Sequence, residues 1–482
     1  MGPNDWLWFT QQKGSVSRVH TVTGEIQELH QIPSDSLFYR TSSGLFSMAL
    51  HPRFETKPYV YLHYIFAEKN ESFLDVIFSR LVRYRFEKDT LADPLVLIDS
   101  IPGNTYHNGS RMLIKDNKLY LGLGDAGQTN LSQNTDSLHG KILRMELDGK
   151  VPDDNPFRDS FIWSIGHRNI QGITAVEDKI IASEHGPVND DEINLIAKEN
   201  NYGWPDVQGM VDNDSEKKYV KDSTITEPLF AWSPTIAPAG IAYYDKKGPI
   251  EEWRNSLLLT TLKGRSMRVL KLKEDGRSVD SQKIFLQKVF GRMRDVVVDD
   301  EGNIFLCTTN TDWHPNSQPW MYDSLPTSRG DRIIKLKKVD EPMMKQLAMI
   351  EDKVVLKENP TSLKLETETY DFRAEDEDLA NGNKLYQKYC AANGKGNIGQ
   401  IPPLVDSDWV SGDKKRLIDV MLMGLNSPIT VNGVEYQGEM PSYAYLEDDE
   451  IRDILNFIRT EFGDTKGNII SSDVHYQRKG LK

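Results

Sequence analysis

Along the first two-thirds of the chain, apolar residues fall in short alternating runs, and few segments keep a helical period. A turn rich in Asp, Asn, Gly, Pro or Lys leads into an aliphatic and aromatic strand and then into a polar loop. This pattern occurs six times: GPNDWLWFTQQ (2–12), RFETKPYVYLHYI (53–65), IKDNKLYLGLGDAG (114–127), VEDKIIASEHGP (176–187), EEWRNSLLLTTLKG (251–264) and DDEGNIFLCTTN (299–310). The copies are spaced by roughly 50 to 75 residues, which leaves each room for about four short strands. Further alternating segments, SRLVRYRFE (79–87), GKILRMEL (140–147) and MRVLKLKE (267–274), lie between them. Four-stranded units repeated radially make a β-propeller, here six-bladed, with loops converging on a central channel. A sandwich would use the same strands without repeating one turn–strand–loop signature six times. Propellers close their ring by pairing strands from the two chain ends. Because the first copy begins almost at residue 1, the closing strand is expected to be missing or supplied differently.

The pattern changes after residue 336. Charges alternate with Met and Leu, and the stretch 337–377 predicts a linker, partly helical and partly extended. Helical spacing then predicts three helices: Asp378 to Cys390, Lys414 to Leu425, and Asp448 to Phe462 with Ile451, Ile454, Leu455 and Ile458 on one face. A small α-helical domain is therefore expected over 378–464, followed by a polar tail over 465–482. A chain of 482 residues is too long for one core, and about two or three domains are expected.

Charge and cysteine usage narrow the function. A formal net charge of −14 argues against a nucleic-acid-binding surface. No apolar run is long enough to span a bilayer. Cys307 and Cys390 lie far apart and suggest no disulfide framework, which leaves the redox compartment open. Met1-Gly2-Pro3-Asn4-Asp5 lacks the basic and apolar regions of a signal peptide.

Candidate chemistry concentrates between Ile162 and Pro205. His167, Arg168, Asn169 and Gln171 precede one short apolar strand, and Glu184-His185-Gly186-Pro187 and the run Asn189, Asp190, Asp191, Glu192 follow it. Polarity bracketing a strand is the pattern of a site that a rigid sheet aims from its strand ends.

This stretch, GHRNIQG with SEHGPVNDDEINLI and NYGWP, closely resembles the soluble PQQ-dependent glucose and aldose sugar dehydrogenases, which are six-bladed propellers. The resemblance extends in order through GLFSMALHPRF (44–54), HNGSRMLI (107–114), YLGLGDAG (120–127), GKILRMELDGKVPDDNPF (140–157), SPTIAP (233–238), LKG (262–264) and GRMRDV (291–296). It implies oxidation of an aldose at C1 to the lactone, with hydride passing to the quinone. His107 matches the general base, Asp125 the carboxylate that orients it, and Arg168 the cation beside the reactive quinone carbonyl. Lys263, Arg292 and Arg294 match the clamp on the cofactor's acidic groups, and an Arg-x-Arg pair in an extended strand puts both guanidiniums on one side. Asn169 and Thr235 match hydrogen-bonding positions, and His185 stands where the glucose enzymes carry Gln. The carbonyls of Gly186 and Pro187 match ligands of the catalytic calcium, a hard cation suited to oxygen. Asp191, Glu192, Tyr202 and Asp212 resemble parts of a second, structural calcium site. Ser42 replaces a Gln of the glucose enzymes, which leaves the sugar itself open.

The C-terminal segment resembles the cytochrome c domains appended to such dehydrogenases, in NGNKLYQKYCA (381–391), IPPLVDSDWV (401–410) and ITVNGVEYQGEMPSYAYL (429–446). There Met440 would be the axial haem ligand. Covalent haem attachment needs Cys-x-x-Cys-His. The chain reads Cys390-Ala391-Ala392-Asn393-Gly394-Lys395-Gly396, and no histidine lies between residues 315 and 474. A degenerate cytochrome-like domain without haem c is expected, Met440 being a packing or loop residue. The resemblance further implies a periplasmic or secreted protein, an external electron acceptor (a quinone or redox protein), and allows a homodimer. Two other readings stay open: a propeller that has lost turnover and serves as a sugar- or cofactor-binding or scaffold module, and a metal-dependent lactonase propeller. The latter would need acidic and Asn ligands from several blades, which the clamp cations fit poorly.

Overall fold

A computed structural model describes residues 1–39, 43–69, 75–187, 189–310, 330–339, 359–360 and 375–389. Beyond these it describes 394, 396, 402–425, 428–437, 440–463, 469, 473–474 and 477–478. The chain divides into two compact units, one built of β-sheets and one carrying three longer helices.

The first unit is a six-bladed propeller. Its antiparallel sheets are β1 (Trp6–Thr10), β2 (Ser15–His20) and β3 (Ile26–Gln31); β4 (Leu45–Leu50), β5 (Tyr59–Lys69), β6 (Asp75–Glu87) and β7 (Thr90–Pro102); and β8 (Gly109–Lys115), β9 (Lys118–Leu123), β10 (Lys141–Glu146) and β11 (Ile162–Ile165). Then come β12 (Ile170–Val176), β13 (Lys179–Glu184), β14 (Asp191–Ile196) and β15 (Phe230–Trp232); β16 (Pro238–Tyr244), β17 (Ser256–Thr261), β18 (Met267–Leu272) and β19 (Val279–Phe285); and β20 (Met293–Val298), β21 (Ile304–Thr308) and β22 (Ile333–Leu336). A two-residue strand, β23 (Asn359–Pro360), adds to the edge of the fifth sheet at β19.

The six sequence copies fall on β1, β5, β9, β13, β17 and β21, the last five being the second strand of their sheet. In the last five sheets a further strand (β4, β8, β12, β16, β20) precedes the copy, and each of these adjoins the next around the ring. Among the described residues the first sheet has three strands, with β1 at one edge. Apolar clusters fill the spaces between blades: Val60, Leu62 and Val82 pack with Trp8, Val16 and Leu29, and Leu119, Leu121 and Leu143 with Tyr61 and Leu81. Later blades repeat this with Ile181, Ile241, Leu257 and Leu259, then Leu258, Val269, Val296 and Leu306. Each such side chain contributes roughly 1.5–3 kcal/mol by leaving water. That packing makes the strand ends a rigid frame.

One irregularity recurs at the starting end of the inner strands. The pairing register slips between Leu45 and Ser47, Gly109 and Arg111, Ile170 and Gly172, Pro238 and Ile241, and Met293 and Asp295. A bulge bends the strand and re-aims the side chains beside it. Five bulges at one end of the ring turn residues just ahead of the inner strands toward one place.

The helical unit matches the expected spans closely. After α1 (Asp214–Tyr219), a short propeller-loop helix, come α2 (Glu375–Tyr389), α3 (Lys414–Met423) and α4 (Asp448–Phe462), with a hairpin of β24 (Ile429–Val431) and β25 (Val434–Tyr436). In α4 Ile451, Ile454, Leu455 and Ile458 are buried, with Ile418 and Met421 of α3 in the same cluster. Helices α2 and α4 cross closely, because a Cβ at Gly382 would run into the Asp453 carbonyl and the Phe457 side chain. Met440 packs partly buried against this core and pairs its backbone with Leu425. Cys390 and Ser42 lie outside the described residues. Among the described residues no helix is long and apolar enough to cross a membrane.

Candidate active site

The predicted residues occupy one end of the propeller, ahead of the inner strands or just past the second strands. His107 precedes β8, Asn169 precedes β12, Thr235 precedes β16 and Arg292 precedes β20, while Asp125, His185 and Lys263 follow β9, β13 and β17.

His107 sits in a backbone turn that a side-chain-bearing residue rarely adopts, with φ +53°, followed by Gly109 at +65° and Ser110 at +90°. Such a left-handed residue persists where its surroundings over-determine it, commonly at functional sites. Here Ala126 N–H donates to the His107 carbonyl at 2.9 Å, and Gly124 has no room for a Cβ against that same carbonyl. Its imidazole Nδ1 lies 2.9 Å from Asp125 Oδ1, and its Nε2 lies 3.0 Å from Arg168 Nη2. Asp125 has 0% side-chain exposure and His107 22%, so solvent or a substrate reaches the imidazole but not its orienting carboxylate. Burial lowers the His107 pKa and the Arg168 charge lowers it further, against the opposing pull of Asp125. Burial alone would raise the Asp125 carboxyl, but His107, the Gly127 N–H at 2.8 Å and Arg168 together bring it below its ordinary value. The result is a neutral imidazole whose Nδ1–H points to the carboxylate and whose Nε2 accepts from the Arg168 guanidinium.

From there a hydrogen-bonded chain runs across the blades. Arg168 Nη1 donates to the His185 carbonyl at 3.0 Å. Asn169 Oδ1 accepts from Gly109 N–H at 3.1 Å and from Gln171 Nε2 at 3.0 Å, while Gln171 Oε1 accepts from Arg294 Nη1 at 2.7 Å. With its carbonyl oxygen held twice, the Asn169 amide nitrogen is the group left to present. Lys263 Nζ donates to Thr235 Oγ1 at 2.9 Å. Asp191 ties this side to the calcium-candidate turn, accepting from Gly186 N–H at 2.8 Å and from the N–H groups of Ile236 (2.5 Å) and Ala237 (2.7 Å). Burial pushes the Asp191 carboxyl up to about 6 despite these donors and the nearby Lys263.

The two arginines of GRMRDV reach different partners. The bulge between Met293 and Asp295 falls on Arg294, which reaches Gln171, whereas Arg292 Nε donates to the Thr309 carbonyl at 3.3 Å. Among the described residues His185 Nε2 is buried without a hydrogen-bond partner, and burial with the nearby Arg168 and Arg294 charges holds its pKa well below the usual value. A buried acceptor among cations and amide donors suits a polar or ionic ligand.

The acidic set is dispersed. Glu192 accepts from Gly209 N–H at 2.7 Å and Asn194 Nδ2 at 2.9 Å, and burial and the neighbouring Glu184 push its carboxyl upward. Tyr202 accepts from Ala197 N–H and donates to the Leu195 carbonyl, its ring stacked on His167 at 4.6 Å. Asp212 is exposed. Among the described residues no group of three or more His, Cys, Asp or Glu side chains is arranged to hold a metal ion.

Three contributors carried no sequence signal of their role. Gln171 orients Asn169. Glu184, 3% exposed, accepts from the backbone N–H of both Arg168 and Asn169 and from His167 Nδ1 at 3.0 Å. Trp204 Nε1 donates to Asp125 Oδ2 at 2.9 Å. Their spacings along the chain signal nothing until the sheet brings them together.

The family model described as glucose/sorbosone dehydrogenase matches residues 1–314. Quinoprotein glucose dehydrogenase B of Acinetobacter calcoaceticus is 29% identical over 391 aligned residues, covering 64% of this chain and 82% of the relative. The PQQ-bound form of aldose sugar dehydrogenase from Streptomyces coelicolor superposes with a TM-score of 0.58 at 29% identity, over 69% of this chain and 91% of that one. Cytochrome c-552 of Thermus thermophilus is 41% identical over 95 residues, 18% of this chain and 72% of the relative.

Proposed function

The chain belongs to the glucose/sorbosone dehydrogenase family, and on that premise we propose that it oxidises an aldose at C1 to the lactone with PQQ and calcium, passing electrons to an external quinone or redox protein. The observation that carries this reading is the His107 imidazole, fixed by Asp125, facing Arg168 and open to solvent through a fifth of its surface. A binding module has no need of a neutral imidazole fixed between a buried carboxylate and a guanidinium.

PQQ, when bound, supplies the ortho-quinone that accepts the hydride. The donor set suits its three carboxylates: Lys263, Arg292 and Arg294 carry the positive charge, and Asn169 and Thr235 the hydrogen bonds. Gly186 and Pro187 would offer calcium their carbonyl oxygens, and Asp191 fixes their turn through the Gly186 N–H. The buried Nε2 of His185 supplies one further acceptor. His107 Nε2 takes the C1 hydroxyl proton as the C1 hydrogen leaves with its electron pair, so the C1–O bond becomes the lactone carbonyl. Asp125 holds the imidazole in the tautomer this needs, and Arg168 places positive charge where oxygen charge grows. Of the second-ion set, Asp191 is buried, Glu192 half-buried and Asp212 exposed.

Purified protein given PQQ and calcium should reduce an artificial dye in the presence of aldoses, lose that activity to a calcium chelator and regain it with added calcium. Failure to bind PQQ would sink the enzyme reading, and PQQ binding without turnover would favour the scaffold reading.

The similarity to cytochrome c-552 and the three-helix core support a cytochrome c-like second domain. With one cysteine near the expected attachment point and no proximal histidine, it would carry no covalent haem. Expression alongside a cytochrome maturation system should yield protein without a haem-type absorption band, and appearance of that band would overturn this part. Export to the periplasm or beyond accords with the chemistry, and its test is localisation of the natively expressed chain.

A further inference from the structure

We propose that Trp204 is a positioning residue for the proton-accepting pair, fixing the Asp125 carboxylate through its indole N–H and the Arg168 guanidinium through its ring. The inference rests on the reading of His107 as base, and it adds a residue that reading does not require.

The Asp125 carboxylate has two oxygens with different tasks. Oδ1 faces His107 Nδ1 at 2.9 Å and Gly127 N–H at 2.8 Å; Oδ2 accepts from Trp204 Nε1 at 2.9 Å. A carboxylate held at one oxygen can rotate about its Cβ–Cγ bond and swing the imidazole with it. Held at both oxygens, it has one plane, and the imidazole it supports has one tautomer and one aim. The indole N–H has no alternative role, since it is a donor and never an acceptor.

The same ring lies against Arg168, with the guanidinium carbon 5.3 Å from its centre. Trp204 therefore touches both charged groups that flank His107, one on each ring nitrogen. Its own placement does not depend on them. Trp204 N–H donates to the Gly166 carbonyl at 3.1 Å, and its carbonyl accepts from Gln133 Nε2 at 2.7 Å. Gln133 in turn grips Asn201 through both amide groups, at 3.0 and 2.7 Å. The indole is half-buried and comes from a loop 79 residues beyond Asp125.

Hydrogen bonding by the indole also withdraws negative charge from the carboxylate. Removing it leaves Asp125 more basic and strengthens its hold on a proton at His107. The groups facing His107 are Asp125, Arg168, the Tyr106 ring edge-on at 4.9 Å, and His185. None of the other three changes in a Trp204→Phe variant, which keeps an aromatic ring beneath Arg168.

The test follows the His107 titration by NMR in the full chain without cofactor, so it is independent of turnover. Trp204→Phe should move that titration upward by about half a unit or more, on the order of one ionic hydrogen bond's influence at one remove. An unchanged or lowered titration in a folded variant would overturn the proposal. Should the variant not fold, the unmodified protein still gives an answer. Its Trp204 indole N–H resonance, recognised by its loss of shift dispersion in Asp125→Asn, should move with the His107 titration, and a pH-independent resonance would overturn the proposal. A shifted titration in a protein that oxidises no sugar would remove the functional reading alone. With activity present, Trp204→Phe should shift the acid limb of kcat/KM upward and lower kcat with little change in KM, and Trp204→Ala should additionally weaken PQQ binding through Arg168.

Discussion

His107→Ala is expected to lower kcat by about 10²- to 10⁴-fold, the usual contribution of a positioned general base, and to leave PQQ binding essentially intact. The separation follows from the geometry. The groups proposed to hold the cofactor, Asn169, Lys263 and Arg294, make their hydrogen bonds to Gln171, Thr235 and one another's neighbours without His107. A titration with PQQ followed by absorbance, beside dye-reduction kinetics, distinguishes the two effects, and a variant with full turnover would remove the base assignment. The pH dependence has a definite sign. Burial, followed by the Arg168 charge, lowers the His107 pKa from its ordinary 6.5. The imidazole therefore remains neutral and able to accept a proton somewhat below pH 6.5, and kcat/KM should fall only as pH drops through that depressed value. Stability has the same sense. A histidine whose folded pKa is depressed contributes stability present above the unfolded value and lost as pH falls through the folded one. His107→Ala should thus melt with less sensitivity to mild acid than the parent.

The propeller was legible because each repeat puts its strongest signal on one strand. YVYLHYI, KLYLGL, KIIASE, SLLLTT and NIFLCT all contain the second strand of a sheet, largely buried on both faces where two blades press on it, and WLWF contains the edge strand β1. Third strands were legible in SRLVRYRFE, GKILRMEL and MRVLKLKE for a different reason: Lys141, Arg144 and Arg268 keep the alternation although they are buried, because each finds a hydrogen-bond acceptor. The first strands were harder to read. Each begins with a bulge, and a bulge breaks the two-residue period on which a strand reading depends. Those bulges are also where the site is built. Residue identity could name His107, Asp125, Arg168 and Asn169 as partners by resemblance, but it could not show that Arg294 turns to Gln171 while Arg292 turns to Thr309. For the helical unit the spans Lys414 to Leu425 and Asp448 to Phe462 were set by apolar spacing alone, and the observed helices end within two residues of them. In the acidic run after Pro187, composition could not assign the partners of each carboxylate: strand pairing sends Asp191 to backbone donors around Ile236 and sets Glu192 opposite Glu184.

Glu184→Ala should be the most destabilising single change near the site. Glu184 lies opposite Glu192 in the β13–β14 ladder and is 3% exposed. It accepts from three groups at one place: the N–H of Arg168, the N–H of Asn169 at 3.1 Å, and His167 Nδ1 at 3.0 Å, whose Nε2 pairs with Ser164 Oγ at 2.9 Å. Asn194 Nδ2 approaches the same carboxylate at 3.4 Å. Alanine would leave two backbone donors and the buried His167 Nδ1 unpaired. Each orphaned group costs about 1–3 kcal/mol, so the gross loss is on the order of 5 kcal/mol. Loss of the Glu184 charge, which helps raise the Glu192 carboxyl, lowers the cost of burying Glu192 and offsets part of it. A net loss of roughly 3 kcal/mol would lower Tm by about 4 °C in a propeller of this size. Function should suffer by a different route, since the freed N–H groups belong to Arg168 and Asn169. Their backbone would shift, and PQQ affinity should fall by more than in His107→Ala although Glu184 touches no ligand itself. Glu184→Gln keeps one acceptor oxygen and removes the charge, so its melting temperature should lie between those of the parent and the alanine variant. Thermal melts with and without PQQ measure both effects. An alanine variant that melted with the parent would show that the Arg168–Asn169 turn is held by the sheet alone, and the carboxylate would then be an incidental neighbour of the site.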